Sequence, residues 1–252
     1  QEIEAPLPTV KALGVAWDCT DDSFTFHCRN LHLPVTTVVK VLSVLASVFD
    51  PLGIVGPYVL AGKQVFQKMW ERTAPRWNAP VPPEYLADWS AWVAGLPQVA
   101  SLHVPRWFGF PEGVDVILHV FADASIKGYG AVAYLASVGQ SAFVASKTRV
   151  VPPKRAGNIP RLELQASLVG ARLLTTLIAE LPDTPIRHAV LWSDSQTVLH
   201  WLQTDDVRHE VFVNNRITDV QDMLAALKIP HEIRFVPTED NPADLASRGC
   251  TA

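Results

Sequence analysis

Four acids in the second half of the chain stand where predicted elements end or begin. Asp123 closes a strand (HVFADAS), Glu163 opens a long helix (IPRLELQA), Asp194 directly follows a strand (VLWSDSQ) and Asp244 lies in the first turn of a last helix (DNPADLASRG). Carboxylates delivered from separate elements can hold two divalent ions about 4 Å apart, one activating water and the other stabilising a leaving oxygen, which is one route to phosphodiester hydrolysis. Magnesium and manganese prefer such oxygen ligands. Taken singly, each acid also fits a structural role. Asp194 suits a helix N-cap, and Asn241 with Asp244 resembles a capping box. Glu163 suits the helix dipole, and Asp123 suits a turn start. Taken together, two acids ending strands and two beginning helices point to one sheet edge.

The elements that must deliver them follow from periodicity. Residues 114–122, 130–135 and 142–149 read as three strands, with Ser137–Gln140 as a turn. A long helix spans 162–181 and stops at Pro182, a strand covers 187–192, and helices cover 195–202 and 210–227. The later helix presents Val213, Ile217, Val220 and Leu224 on one face. A strand at 233–236 and a helix opened by Asn241-Pro242 complete the order βββαβααβα. This is an α/β class with a mixed sheet and helices on its faces. The first half reads differently: strands at 10–17 and 23–28 around the acidic turn Asp21-Asp22, then helices at 36–49, 57–72 and 83–94. The first of these helices aligns Val38, Val41, Leu42, Leu45 and Phe49, and a proline-rich loop occupies 75–83. The division expected is residues 1–112 and 113–252.

Composition limits the partners. Hydrophobic residues form 48% of the 252-residue chain and charged residues 18%, enough for a packed core. A net charge of -4 argues against a free-standing basic coat for nucleic acid, so any such contact needs a local patch. The three cysteines have no metal-ligand spacing and suit reduced thiols, although Cys19 and Cys28 flank the hairpin and could face each other. No uninterrupted apolar run reaches the roughly 18 residues that span a bilayer, so no membrane partner and a cytoplasmic location are expected. The chain does not begin with Met, which points to a segment of something longer.

Residues 114–252 resemble a ribonuclease H domain, and the whole chain resembles the C-terminal part of a reverse transcriptase from a BEL/Pao-type LTR retrotransposon. The strings that carry this are FADAS (121–125), IPRLELQASL (159–168), WSDSQTVLHWL (192–202), FVNNRITDV (212–220) and VPTEDNPADLASRG (236–249), with KALGVAWD (11–18) and VLSVLASVFDPLGIVGP (41–57) upstream. The resemblance implies metal-ligand and catalytic roles for Asp123, Glu163, Asp194 and Asp244. It also implies two Mg2+ ions (Mn2+ as substitute) and endonucleolytic cleavage of RNA in an RNA/DNA hybrid. The polymerase domain of the same polyprotein becomes an expected partner, and a virus-like particle an expected setting. Residues 1–112 would then be a mostly helical thumb/connection-like region with a short hairpin.

For holding the hybrid, Lys147, Arg149, Lys154, Arg155 and Arg161 lead into Glu163 with no intervening acid. They fit either phosphate contacts or a solvated basic loop. Ser125 and Gln196, beside two of the acids, match family positions that touch the hybrid and are candidates for reading the 2′-hydroxyl. The loop Thr238-Glu239-Asp240 lacks the histidine many ribonucleases H carry there, and His231 before the strand suits a core or surface place. Only a short helix follows Asp244. Both departures point to a lower rate, and leave a catalytically weak or domesticated nucleic-acid-binding or subunit-interaction module as the alternative. A polymerase needs Tyr-x-Asp-Asp, but Asp21-Asp22 and Asp205-Asp206 have no tyrosine; an aspartic peptidase needs Asp-Thr/Ser-Gly, which is absent.

Overall fold

A computed structural model of the protein describes residues 10–12, 15–26, 35–73, 76–153, 157–204 and 210–252. Cys28, Lys154, Arg155, Asp205 and Asp206 lie outside the described residues. Backbone contacts divide the chain into two units. One holds the described residues up to Pro51 with Ala61–Trp107 and Cys250–Ala252, and the other holds Leu52–Leu60 and Phe108–Gly249.

The smaller unit contains a four-stranded antiparallel sheet in the order β1-β2-β3-β4: β1 (Val10–Ala12), β2 (Val15–Asp18), β3 (Ser23–Thr25) and β4 (His103–Pro105). The strand expected over 10–17 is therefore two antiparallel strands, β1 and β2, and β4, remote in sequence, pairs with β3. Its acidic turn is held by Asp22, which accepts from Trp17 Nε1 at 2.9 Å and from Arg106 Nε at 2.6 Å. Four helices accompany it: α1 (Val38–Ser47), α2 (Gly56–Arg72, from Ala61 in this unit), α3 (Leu86–Ala94) and α4 (Leu96–Ala100). In α1 the buried stripe is Val38, Val41, Val44 and Leu45. The helix stops before Phe49, which is half exposed instead of joining that face. The segment expected to be one helix from Pro83 begins as a 3-10 turn (Pro83–Tyr85), and α4 tolerates Pro97 because the first helical turn needs no N–H there.

The larger unit shows the expected order. Strands β5 (Val116–Ala124), β6 (Gly128–Ser137) and β7 (Gln140–Val150) form an antiparallel meander, and β8 (Ile186–Ser193) and β9 (His231–Phe235) add parallel to β5 and β8. The sheet order is β7-β6-β5-β8-β9. Helices α5 (Ile159–Glu180), α6 (Gln196–Gln203), α7 (Val211–Ala225) and α8 (Asp244–Arg248) complete it. On β5, Val116, Leu118, Val120 and Ala122 alternate into the core beneath α5, where they meet Leu164, Leu168, Ala171 and Leu174. Each such large apolar side chain contributes about 1.5–3 kcal/mol on burial. The approach is close: a Cβ on Gly170 would stand 2.7 Å from Leu191 Cδ1. α5 is also long and apolar enough to cross a bilayer by length and composition, but ten of its residues are buried, as a core helix requires.

The other pleat of β5 carries Ile117, His119, Phe121 and Asp123. Phe121 stacks on Trp192 at 5.7 Å and meets Tyr134 edge-on at 6.2 Å. α8 packs nearby, where Ala243 and Ala246 cover Val132.

Residues Leu52–Leu60 belong to this unit through β7. Ser146 donates its N–H to Leu52 O at 2.7 Å and its hydroxyl to Gly53 O at 2.5 Å. Gly53 has φ +73°, and a Cβ there would stand 2.1 Å from the Ser146 carbonyl oxygen. Gly53→Ala is therefore expected to destabilise the fold by about 2 kcal/mol from the left-handed backbone and the collision together, read as a lower urea midpoint.

Candidate active site

The register of the parallel pair starts the site. Ala122 of β5 sits opposite Ser193 of β8, so the next residues, Asp123 and Asp194, occupy matching positions toward the carboxyl ends of neighbouring strands. Open α/β sheets bind ligands at that end. Glu163 arrives from near the N-terminus of α5, and Asp244 is the first residue of α8.

Electrostatics records their proximity. Asp123 is 7% exposed, and its pKa is raised to about 6 by burial, with the Ser247 hydrogen bond opposing and the charges of Asp194 and Asp244 adding. Glu163 is also raised, by burial first, against a hydrogen bond from Ser195 and with the charge of Asp194 adding. Asp194 is thus the member that both Asp123 and Glu163 feel. It follows β8 directly, at the carboxyl end of the sheet.

Each carboxylate has a protein donor that the sequence did not single out. Ser247 Oγ donates to Asp123, Ser195 Oγ to Glu163 at 2.6 Å, Thr238 Oγ1 to Asp194 at 2.8 Å and Arg248 Nε to Asp244 at 2.5 Å. The capping alternatives resolve differently from expectation. Ser195, not Asp194, caps α6 by accepting from Val198 N, and α8 has no side-chain cap. The buried Asn241 instead donates to Ala122 O at 3.2 Å and accepts from Ala243 N at 3.1 Å, tying the α8 entrance to β5.

The donor set fits a hard divalent cation. Among the described residues, the side-chain donors to Asp123, Glu163 and Asp194 are hydroxyls, and burial disfavours the anionic form of Asp123 and Glu163, so a divalent cation would be a favourable partner there. The arrangement is open: among the described residues, the one group whose ligand atoms all lie within 4.8 Å of one another is Asp18, Asp21 and His103 in the smaller unit. That trio is largely exposed and internally bonded, with His103 Nδ1 3.1 Å from Ser23 Oγ and 3.2 Å from Asp21 Oδ2.

The expected substrate contacts are less concentrated. Gln196 is exposed at the start of α6. Ser125 spends its hydroxyl internally, donating to Ser247 O at 2.8 Å and accepting from Lys127 N and Gly128 N. Lys147 and Arg149 are exposed on β7, but they pair with Ala131 and Tyr129, on the opposite pleat from Asp123. Arg161 pairs with Glu210 and lies 5.7 Å from the Phe212 ring, which Arg216 approaches from 5.4 Å. His231 is the first residue of β9, its Nδ1 3.2 Å from Ile229 O.

The family model described as a Pao retrotransposon-like RNaseH-like domain matches residues 37–195, which include Asp123, Glu163 and Asp194. The chain belongs to the Pao retrotransposon-like RNaseH-like family. No curated protein matches this Pao-family chain by sequence. Among solved structures, it is similar to the foamy viral protease-reverse transcriptase dRH in complex with double-stranded DNA, at 13% identity and TM-score 0.53, over 90% of this chain and 38% of that one. It is also similar to the foamy viral protease-reverse transcriptase with an RNA/DNA hybrid, at 14% identity and TM-score 0.52, over 97% and 31%. The N-terminal RNase H domain of a Mycobacterium tuberculosis protein aligns at 16% identity and TM-score 0.40, over 53% and 91%. The Pao-family chain thus spans about a third of the foamy viral chains, and the likeness is one of fold.

Proposed function

We propose that the protein is a divalent-metal-dependent ribonuclease H that cleaves RNA paired with DNA, as one part of a retrotransposon reverse transcriptase. The observation that supports this reading is that acids from separate elements feel one another: Asp123 the charges of Asp194 and Asp244, and Glu163 that of Asp194. Asp123, Glu163, Asp194 and Asp244 would hold the ions. Bound there, two Mg2+ ions (or Mn2+) would supply an activated water and charge stabilisation for the leaving oxygen. Ser195 and Thr238 orient Glu163 and Asp194 by their hydroxyls. The hybrid as substrate is supported by the family and by the foamy viral relative holding one. Exposed Gln196, with Arg161, Lys147, Arg149, Lys154 and Arg155, is the contact set proposed for it, and residues 1–112 are proposed as a thumb/connection-like region.

The openness of the four-acid site favours one second reading, a catalytically weak module that binds nucleic acid or a polymerase subunit. Cleavage of a labelled hybrid separates the two. The first reading expects cleavage in Mg2+ or Mn2+ that stops when the metal is chelated; retained hybrid binding with no cleavage in either metal would favour the second.

A further inference from the structure

One buried hydroxyl contacts the carboxylate of Asp123 and the backbone carbonyl of Asp244. Ser247 lies on α8, three residues after Asp244, and is fully buried. Its Oγ donates to Asp123 Oδ2 and lies 3.0 Å from the Asp244 carbonyl oxygen. Its own carbonyl accepts from Ser125 Oγ, the hydroxyl that organises the turn after β5. Ser247 therefore joins the end of β5, the following turn and α8 at one point.

The space around it leaves little freedom. A Cβ on Gly128 would stand 2.7 Å from Ser247 O, and one on Gly130 would stand 3.3 Å from Ala246 O. The backbone of α8 thus rests directly on β6. A helix of five residues has few hydrogen bonds of its own, so its placement depends on contacts such as these. Asp123 meanwhile feels the like charges of Asp194 and Asp244, and Ser247 makes the one side-chain hydrogen bond to it among the described residues. Without that donor, the Ala124 backbone hydrogen bond would be left to hold the carboxylate against the repulsion of Asp194 and Asp244.

We propose that Ser247 is a positioning residue for the metal site, aiming the Asp123 carboxylate and fixing Asp244 relative to it. The assignment rests on the metal-dependent reading above. Partners that orient metal ligands typically change affinity or activity by about 10–100-fold when removed.

The test uses the intact chain and Mn2+, with free ion followed by electron paramagnetic resonance in the absence of nucleic acid. Ser247→Ala is expected to weaken Mn2+ binding about tenfold and to raise the metal concentration for half-maximal hybrid cleavage by a like factor. Ser247→Cys keeps the size of serine with a poor donor and is expected to weaken binding as well, which covers an alanine variant that fails to fold. Ser247→Thr retains the hydroxyl and is expected to bind within a few-fold of wild type. Wild-type Mn2+ affinity in a folded Ala or Cys variant would overturn the assignment alone. A wild-type chain that binds no Mn2+ would overturn the metal-site reading and this assignment together.

Discussion

Replacing Asp194 with asparagine is expected to abolish hybrid cleavage while leaving the fold at least as stable as before. Asp194 is the acid shared by both sides of the site, so its loss weakens every ion the cluster would hold. Forfeiting the several kcal/mol that bound metal would contribute to the transition state corresponds to about a thousandfold in rate. Stability should move the other way. The Asp194 charge raises the pKa of both Asp123 and Glu163, so a neutral amide relieves repulsion that the metal-free protein otherwise carries. The check is single-turnover cleavage beside a denaturation curve for each protein. A variant that loses activity and stability together would have failed through folding, and one that cleaves normally would remove Asp194 from the chemistry.

Stability without metal should fall as pH rises from about 4 to 7, and divalent metal should cancel much of that fall. Asp123 has its pKa raised from 3.8 to about 6 in the folded chain. Between those values the folded state binds more protons than the unfolded state, so unfolding becomes easier with increasing pH. A shift of about 2 units corresponds to about 3 kcal/mol lost across the window. Glu163, raised in the same direction, adds to it. Other groups oppose the trend, for Asp21, Asp22 and Glu232 are lowered by their hydrogen-bond partners. The difference between wild type and Asp123→Asn isolates the buried acid. Metal binds the deprotonated carboxylates, so the gain in melting temperature on adding Mg2+ should grow as pH passes 6. A wild-type curve parallel to that of Asp123→Asn would show that Asp123 titrates normally.

Much of this was legible in the residues. The alternation of Val116, Leu118, Val120 and Ala122 marks a strand buried on one pleat, and the 3.6-residue spacing of Val213, Ile217, Val220 and Leu224 marks the buried face of α7. The order βββαβααβα and the four acids at element boundaries follow from such local signals. Local signals also erred locally. The apolar run to Phe49 read as one helix, but the Asp50-Pro51 break is felt two residues earlier, and Ser47 is the last helical residue.

Other features existed only across long separations. β4 pairs with β3 through Thr25 and His103, and Ser146 holds Leu52 and Gly53 from 93 or 94 positions away. The donors to the acids, Ser195, Thr238 and Ser247, are ordinary hydroxyls by type, and nothing in their spacing distinguishes them from other serines and threonines. The pleat of Lys147 and Arg149 depends on the β6–β7 register, which sets Thr148 opposite Gly130, the partner of Asp123, so a basic string that reads as leading to Glu163 begins on the opposite pleat from Asp123. The sequence by itself determined which elements form and which acids stand at their ends, because periodicity and chain breakers act over a few residues. Only the folded chain sets which side chain bonds to each carboxylate and which cations lie on which pleat, because each depends on registers between strands and helices that no local pattern encodes.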